Sequence, residues 1–434
     1  MSDIIIKNGK PEIIKNACVY ISGKFADADI YISGGKISDI CIHSYFSDAL
    51  SANDGNHLYV FPGFTDVHVH LREPGFLYKE TVKTGTYAAA RGGYTTVCAM
   101  PNLNPVPDCM QNLNKELEAI KKDARINVLA YGAITKGENG LCLSDMDNLS
   151  DGVVAFSDDG KGIQSADIMK EAMIKARRLG KIIAAHCEDN SLLNGGYIND
   201  GEYAKLNGHK GICAESEYKP IERDIKLAAE TKVKYHVCHI STAQSVELIR
   251  NAKKAGVDIT CETAPHYAIL NDTMLKDDGR FKMNPPIRSE SDRLAIVEGI
   301  KDGTIDMIAT DHAPHSAKEK SGGLKDSLNG VVGLETAFAE MYTNLVKTKI
   351  ITLNKLIELL SVNPNKRFGI NCEIRIGNDA DFTVFDLKNP YYIDSSLFLS
   401  KGKSTPFDSD KVYGKCLATI FKGEFVWQEC TTEK

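Results

Sequence analysis

Hydrophobic and polar positions alternate along the middle of the chain in a pattern that predicts an α/β fold. Short apolar runs are separated by stretches in which apolar residues recur every three or four positions, as on one face of a helix. Two of these stretches, residues 167–180 and 243–256, end in glycine, which is typical of a helix C-terminus. Eight apolar runs of the strand type occur, at residues 63–71, 95–102, 126–134, 153–160, 181–189, 232–241, 257–267 and 306–315.

Continuous apolar strands that alternate with helices indicate a parallel sheet covered on both faces. Eight such units predict a closed (β/α)8, or TIM-like, barrel. A doubly wound open sheet is the structural alternative, but no G-x-G-x-x-G or P-loop motif supports it. Short strand-like segments recur at both ends of the chain. We therefore predict a small composite β-sandwich domain from residues 1–58 and 375–434, with the barrel at residues 59–374.

Composition narrows the class of protein. The chain has 434 residues, a net charge of −6 and a pI near 6.0, which argue against nucleic acid or an anionic membrane as the main partner. No apolar run suits a membrane span, and the N-terminus lacks the plan of a signal peptide, so we expect a cytoplasmic protein. Several of the 12 cysteines lie inside apolar runs, which predicts buried, reduced thiols and no disulfide scaffold.

The stretch DVHVHLREPG, residues 66–75, carries the first candidate chemistry. Side chains alternate faces along a strand, so His68 and His70 point the same way. Two imidazoles on one face can share a metal ion. A histidine pair on a solvated strand is the alternative, and this motif alone leaves the two interpretations about equal.

The other apolar runs favour the metal interpretation. Polar residues gather at the C-terminal ends of all but the third run, where a barrel places its catalytic groups. His68, His70, His186, His239 and Asp311 form a donor set that suits Zn²⁺ or a similar divalent ion. Asp159 is a candidate for a carboxylate that bridges two metals. A helix cap or an Asx-turn is the alternative for Asp159, because it lies in an Asp-Asp-Gly sequence.

The order of motifs along nearly the whole chain resembles the amidohydrolase superfamily, and more closely the class I dihydroorotases of bacteria. The motifs are DVHVHLREPG (66–75), AMPN (99–102), FSDDG (156–160), HCED (186–189), CHIST (238–242), ETAPHY (262–267), KMNPPIR (282–288), ATDHAPH (309–315) and GLET (333–336). The resemblance implies that the metal ligands are His68, His70, His186, His239 and Asp311. It implies that Asp159 bridges two Zn²⁺ ions per subunit, where many relatives use a carboxylated lysine. The alternative is that Lys161 is carboxylated and forms the bridge in place of Asp159.

The resemblance also implies a reaction. The chain would interconvert (S)-dihydroorotate and N-carbamoyl-L-aspartate in the de novo biosynthesis of UMP. A hydroxide held between the metals would attack the ring amide, because metal ions lower the pKa of bound water toward 7. Asp311 would act as the general acid and base, taking the proton of the nucleophile and passing it to the leaving nitrogen.

Substrate contacts are implied in the same way. An arginine binds a carboxylate through two parallel hydrogen bonds, and dihydroorotate carries a carboxylate beside its ring. The resemblance assigns substrate binding to His70, Arg72, Asn102, Asn284, His315, Asn329 and Gly330. A surface salt bridge to Glu73 is the alternative for Arg72. Similar enzymes carry Pro-Phe-Gly where this chain has Leu328-Asn329-Gly330, so an aromatic side chain is missing there.

Three further residues have no place in the predicted ligand or substrate sets. We expect His266 and His312 to be structural, and Asp66 to orient one of the two imidazoles that follow it.

Two rival functions remain on the sequence alone. Another cyclic-amide hydrolase, such as an allantoinase or a dihydropyrimidinase, would share the barrel and the His-x-His motif. An inactive scaffold that supports a partner such as aspartate transcarbamoylase is the alternative outside the enzymes. A homodimer is common among similar enzymes, so we expect one here.

Overall fold

The computed structural model describes residues 4–46 and 58–429. Within these ranges the strands are β1 (Ile4–Lys7), β2 (Lys10–Ile21), β3 (Lys24–Ser33), β4 (Lys36–Tyr45), β5 (Tyr59–Pro62), β6 (Phe64–Val69), β7 (Tyr94–Ala99), β8 (Asn127–Ala133), β9 (Ala155–Ser157), β10 (Ile182–Ala185), β11 (Ile198–Asn199), β12 (Gly211–Ile212), β13 (Lys234–Val237), β14 (Ile259–Thr263), β15 (Met307–Ile308), β16 (Phe382–Asp386), β17 (Tyr391–Tyr392), β18 (Lys411–Val412), β19 (Lys415–Phe421) and β20 (Glu424–Gln428).

The α-helices in the same ranges are α1 (Val82–Arg91), α2 (Met110–Asp123), α3 (Met146–Leu149), α4 (Ala166–Arg178), α5 (Glu202–Asn207), α6 (Glu215–Thr231), α7 (Ala243–Lys254), α8 (Pro265–Ile269), α9 (Glu290–Asp302), α10 (Gly323–Asp326), α11 (Ala337–Met341), α12 (Leu353–Ile357) and α13 (Asn363–Phe368). Two π-helical segments, Tyr342–Val346 and Glu358–Val362, directly continue α11 and α12. Short 3-10 turns lie at Lys136–Glu138, Ser150–Gly152, Asn190–Leu192, Asp272–Met274, Gly279–Phe281 and Ser395–Leu397.

Eight parallel strands form the barrel. Their order is β6-β7-β8-β9-β10-β13-β14-β15, and each of the eight predicted apolar runs matches one of them, with β7 beginning one residue before its run. The two ends of this sheet meet through a parallel bridge between Val69 and His312. The amide of His70 also donates to the carbonyl of His312 at 2.9 Å. The predicted (β/α)8 barrel is therefore confirmed.

The helices between the strands follow the predicted apolar spacing. Helix α4 buries Met169, Ala172, Met173 and Ala176, which lie on one face. The Ser165 hydroxyl caps its N-terminus by accepting from the amide of Ile168. Beyond the helix ends, Gly180 and Gly256 have positive φ values of 70° and 77°, so both predicted glycine stops are observed.

A second sheet unites the two ends of the chain. Its strands follow the order β20-β19-β16-β5-β2-β3-β4, and β1 pairs with β2. This confirms a small composite β domain, while its limits in the chain stay a prediction. Strand β5 begins at Tyr59, so the sheet extends past the predicted limit at residue 58. The strands lie on one hydrogen-bonded path, and the two-sheet sandwich likewise stays a prediction.

Residues of this sheet alternate between two hydrophobic cores. Tyr59 and Phe61 join the large core shared with the barrel, whereas Val60 joins a smaller core formed by the terminal segments themselves. At the junction the Phe61 ring lies 5.6 Å from the rings of both Phe338 and Phe385, and it stacks against Phe64 at 6.1 Å. This aromatic cluster fixes the sheet against the barrel.

Two further expectations concern membranes and thiols. Among the helices of the described ranges, none has both the length and the apolar character that crossing a membrane requires. The cysteines of these ranges are all free, as predicted. Cys430 lies outside the described residues.

The junction predicts a stability change. Phe61→Ala would empty a fully buried position between the sheet and the barrel. Phenylalanine-to-alanine changes in cores cost about 3–5 kcal/mol of unfolding free energy, and we expect a loss in that range from chemical denaturation. Tyr392→Ala is the matched control, because Tyr392 is 67% exposed and its removal should change stability by less than about 0.5 kcal/mol. Equal effects of the two changes would contradict the packing role.

Candidate functional site

A cavity of about 210 Å³ opens at the C-terminal ends of the barrel strands. Every predicted site residue except His68 lines it. The lining consists of His70, Arg72, Asn102, Asp159, Gly160, His186, His239, Asn284, Asp311, Ala313, His315, Asn329 and Gly330. His68 is fully buried, and its Nε2 atom faces Asp159, which lines the cavity. The structure thus brings together side chains that are separated by up to 262 positions in the sequence, from His68 to Gly330.

The Asp159 carboxylate lies at the centre of the histidines. Its Oδ1 atom is 3.3 Å from Nε2 of His68, 3.8 Å from Nδ1 of His186 and 3.7 Å from Nε2 of His239. Its Oδ2 atom is 3.5 Å from Nε2 of His70. The two oxygens therefore face different imidazoles, which is the arrangement that a bridging carboxylate requires.

Asp311 faces two of these histidines from the segment that follows β15. Its Oδ1 atom lies 3.1 Å from Nε2 of His70 and 3.6 Å from Nε2 of His68. His186 and His239 face each other, with His186 Nδ1 2.9 Å from His239 Nε2. The donors thus form two groups, His68 with His70 and Asp311, and His186 with His239, and Asp159 faces both.

Unpaired buried atoms show what this cluster suits. His68 Nε2, Asp159 Oδ1, His186 Nε2 and His239 Nδ1 are buried and have no hydrogen-bond partner in the described part of the chain. Leaving a buried polar atom without a partner costs folding free energy. Coordination of a cation by that atom would remove the cost. The ligand atoms of His68, His70 and Asp311, and those of His68, Asp159 and His239, each lie within 4.8 Å of one another. The cluster could therefore hold metal, and imidazole with carboxylate is a donor set that fits zinc.

The electrostatics of the cluster agree with this. Burial by itself would raise the pKa of Asp159 and Asp311, but the adjacent imidazoles hold both pKa values below the ordinary range. Burial opposes protonation of His68, yet the carboxylates of Asp159 and Glu262 raise its pKa well above the usual value. The ionised carboxylates are ready to bind a cation, and a metal ion would take the place of the protons that the imidazoles retain, because metal ligands must be deprotonated.

Glu262, which the sequence analysis did not assign, orients His68. Its Oε1 atom lies 2.7 Å from His68 Nδ1, and its Oε2 atom lies 3.0 Å from His236 Nε2. The imidazoles hold the pKa of the Glu262 carboxyl at about 2 against its burial. With Nδ1 engaged, Nε2 of His68 is directed at Asp159 and Asp311. In the sequence, the signal for a role of Glu262 was its position as the first residue of the ETAPHY motif.

The prediction that Asp66 orients an imidazole is wrong. The Asp66 carboxylate accepts hydrogen bonds from the backbone amide of His68 at 3.0 Å and from the hydroxyl of Thr310 at 2.6 Å. It therefore ties β6 to the segment after β15, where the barrel closes. Period-two alternation along β6 explains the error, because a side chain two residues before His68 lies deeper on the same face and reaches the neighbouring segment.

Three site residues have backbone conformations that side chains rarely adopt. Arg72, His239 and Asp311 have φ values of 61°, 33° and 47°. Such strain costs about 1–3 kcal/mol per residue and is concentrated at functional sites. Its occurrence at the ends of three barrel segments around one cavity supports a site whose side-chain directions are fixed in advance.

Arg72 is buried beside the cavity, and Pro314 and His315 contact it. Its Nε atom donates to the Pro314 carbonyl at 3.3 Å. Within the described residues it forms no ion pair with Glu73, whose carboxylate instead accepts from the amide of Val82 at 2.9 Å. The alternative of a surface salt bridge to Glu73 is therefore wrong.

The two predicted asparagines contact other members of the site. Asn102 places Oδ1 2.8 Å from His70 Nδ1. Asn284 donates to Glu188 at 2.7 Å, and Glu188 lies 4.0 Å from His186 Nε2. The asparagine side chains are thus positioned by the same network that positions the histidines.

The structure also places Lys161 and the two histidines that were left out of the predicted ligand set, His266 and His312. Lys161 is about half exposed, and its Nζ atom is 3.9 Å from Glu138. His312 is buried with Nε2 3.5 Å from the Glu80 carboxylate, which agrees with a structural role. His266 is also buried, and burial lowers its pKa to about 4.

Comparison with known proteins decides the family to which this chain belongs. Residues 58–245 match the family described as Dihydro-orotase-like. A dihydroorotase of Fusobacterium nucleatum is 48% identical over 96% of this chain and 98% of its own length. The chain belongs to the dihydroorotase family. A dihydroorotase of Ligilactobacillus salivarius is 47% identical, again over 96% of this chain and 98% of the relative.

Solved structures agree on the fold of this dihydroorotase family member. The L-hydantoinase (dihydropyrimidinase) of Arthrobacter aurescens is 25% identical, with a TM-score of 0.83 and 97% of each chain covered. A dihydropyrimidinase of Brevibacillus agri is 22% identical, with a TM-score of 0.81 over 96% of this chain and 95% of the other. The shared architecture is the amidohydrolase barrel with its β domain.

Glu262 generates a prediction about metal retention. A glutamine at this position has an NH2 group in place of one carboxylate oxygen, so it cannot accept the hydrogen bonds of both His68 and His236 in the same way, and His68 would lose its fixed orientation. Loss of such an orienting partner weakens metal affinity about 10- to 100-fold. We expect Glu262→Gln to lose bound metal at lower chelator concentrations than the wild type, as measured by metal content after dialysis. Glu298→Gln is the control, since the Glu298 side chain is 60% exposed. Equal retention by all three proteins would rule out the orienting role.

Proposed function

We propose that the protein is a dihydroorotase. It hydrolyses (S)-dihydroorotate to N-carbamoyl-L-aspartate, and it catalyses the reverse ring closure in the biosynthesis of UMP. The observation that carries the proposal is one cavity that joins the Arg72 guanidinium to the imidazole–carboxylate cluster. The 48% sequence identity between this chain and a protein named dihydroorotase supports the same conclusion.

The residues that would hold the metal follow from the two donor groups. His68, His70 and Asp311 would bind one Zn²⁺ ion, His186 and His239 a second, and Asp159 would bridge them. When bound, Zn²⁺ supplies Lewis acidity and lowers the pKa of bound water. The unpaired ring nitrogens described above support this assignment.

The chain's own residues supply the rest of the chemistry. Arg72 would bind the carboxylate of dihydroorotate, because a buried guanidinium forms strong paired hydrogen bonds with that group. The pocket would be completed by Asn102, Asn284, His315, Asn329 and Gly330. His70 would contact both the metal ion and the substrate. Asp311 would take a proton from the attacking water and return it to the ring nitrogen as the amide bond breaks. The carboxylate is suited to this step, since neighbouring imidazoles keep it ionised before attack.

Arg72 also distinguishes this proposal from the rival cyclic-amide hydrolases. Dihydrouracil and allantoin lack the ring carboxylate that a buried guanidinium would bind. Burying Arg72 without an anionic ligand would leave a charge poorly compensated, which is unfavourable. Dihydroorotate is therefore the better substrate for this pocket. The inactive scaffold is disfavoured, because each predicted ligand position holds a residue able to bind metal.

The proposal extends to the setting of the enzyme. We place it in the cytoplasm as a homodimer, with aspartate transcarbamoylase as a candidate partner because that enzyme makes carbamoyl aspartate. The modest net charge of −6 supports a small-molecule substrate over nucleic acid or membrane partners.

The first experiment combines metal analysis with turnover. The purified protein is assayed for bound metal, and dihydroorotate hydrolysis is followed by the loss of ultraviolet absorbance with and without added Zn²⁺. We expect metal-dependent turnover of dihydroorotate. Cleavage of allantoin or dihydrouracil without cleavage of dihydroorotate would overturn the proposal. Far less than one metal per chain, with no turnover, would favour the scaffold.

The bridge assignment makes a second prediction. Asp159→Ala removes the carboxylate that faces all four histidines, so we expect the loss of one metal per chain and of most activity. Lys161→Ala is the matched control, because its side chain lies about half exposed and away from the cluster. We expect its kcat and metal content to stay within about two-fold of the wild type, as for most surface changes. The reverse ranking would show that Lys161 provides the bridge.

A further inference from the structure

A buried lysine lies behind the predicted carboxylate pocket. Lys79 follows β6 in the chain and is 9% exposed. Its Nζ atom is 3.2 Å from Nδ1 of His315 and 3.1 Å from the Glu319 carboxylate. Tyr78 donates to the same carboxylate at 3.0 Å. Neither the predicted metal ligands nor the predicted substrate contacts include Lys79.

The hydrogen-bonding capacity of a lysine fixes the tautomer of His315. An ammonium group has three donors and no acceptor, so His315 Nδ1 must accept and cannot carry a proton. The proton of the neutral ring then lies on Nε2, which donates to the carbonyl of Asn329 at 2.7 Å. Burial, Arg72 and Lys79 together lower the pKa of His315 to about 3, which keeps the ring neutral.

The geometry also gives the pocket a positive charge. Arg72 Nη2 lies 3.5 Å from His315 Nε2, on the other side of the ring from Lys79. Glu319 balances Lys79, and it is in turn held by the amide of Ser316 at 2.9 Å. His315 is thus a neutral ring held between two cations, and the charge of Arg72 at the cavity suits an anionic group of the substrate.

We propose that Lys79 is a positioning residue that acts through His315. By donating to Nδ1, it holds the imidazole with its proton on Nε2, bonded to the Asn329 carbonyl, and so fixes the ring at the wall of the cavity where the substrate carboxylate would bind. The inference rests on the proposed function for the identity of the substrate. The tautomer of His315 does not depend on that function and can be measured separately.

The kinetic test compares three variants. Lys79→Met removes the donor, and we expect KM for dihydroorotate to rise about 10- to 100-fold while kcat stays within about three-fold, as when a charge-assisted contact to the ground state is lost. Lys79→Arg keeps a cationic donor and should recover part of this loss. Lys83→Met is the control, since Lys83 is an exposed lysine in helix α1. A KM for Lys79→Met equal to that of the control would overturn the proposal.

The tautomer test uses nitrogen NMR of protein labelled with ¹⁵N-histidine, with His315→Asn to assign the signals. In the wild type we expect an unprotonated Nδ1 and a protonated Nε2 at His315. In Lys79→Met we expect signals shifted toward a mixture of tautomers. A proton on Nδ1 in the wild type would overturn the proposal even if Lys79→Met failed to fold. If the wild type shows the expected tautomer but does not turn over dihydroorotate, the proposed function fails and the positioning role stands.

Discussion

The arrangement of the site depends on the burial of one carboxylate among four imidazoles. Asp159 is almost fully buried, and its oxygens lie 3.3–3.8 Å from ring nitrogens of His68, His70, His186 and His239. Such a group is stable inside a protein only when its charge is compensated. The barrel brings the compensating side chains to one point, because parallel strands place their C-terminal ends at the same edge. A metal ion bound here would complete that compensation for the ring nitrogens that have no partner in the described part of the chain.

Side chains beneath the cluster hold its members in place. Glu262 accepts from His68 and His236, so one carboxylate on β14 fixes imidazoles on two different barrel strands, β6 and β13. Asp66 binds Thr310 across the closure of the barrel, and Thr310 directly precedes Asp311. The closure of the sheet and the position of the Asp311 carboxylate are therefore linked. A change that loosened the barrel at this seam would also move a proposed ligand.

Much of the fold and of the site could be predicted from the sequence, for identifiable physical reasons. The eight strands were readable because each is a continuous apolar run, and His68 or His186 stood out as a titratable residue at the end of such a run. Glu262 and Asp66 were harder, because their partners are set by contacts between strands that no local pattern reveals. Lys79 lies in a loop of mixed composition, and its burial follows from the loop's path over the barrel. Strand β5 crossed the predicted domain limit because the pairing that places it in the terminal sheet is non-local.

The segment Leu328-Asn329-Gly330 shows why the missing aromatic side chain need not alter the loop. The contact from Asn329 to His315 is made by its backbone carbonyl. Gly330 has a φ of 132°, and a Cβ atom there would lie 2.6 Å from the Ala313 carbonyl, so glycine is required for the turn. The buried Lys320 ammonium donates to the carbonyls of Leu328 and Gly330 at 2.8 and 2.7 Å. The backbone and these partners, rather than the side chain at position 329, therefore set the loop conformation. Replacing an aromatic ring by asparagine changes the surface offered to the substrate while the His315 anchor is preserved.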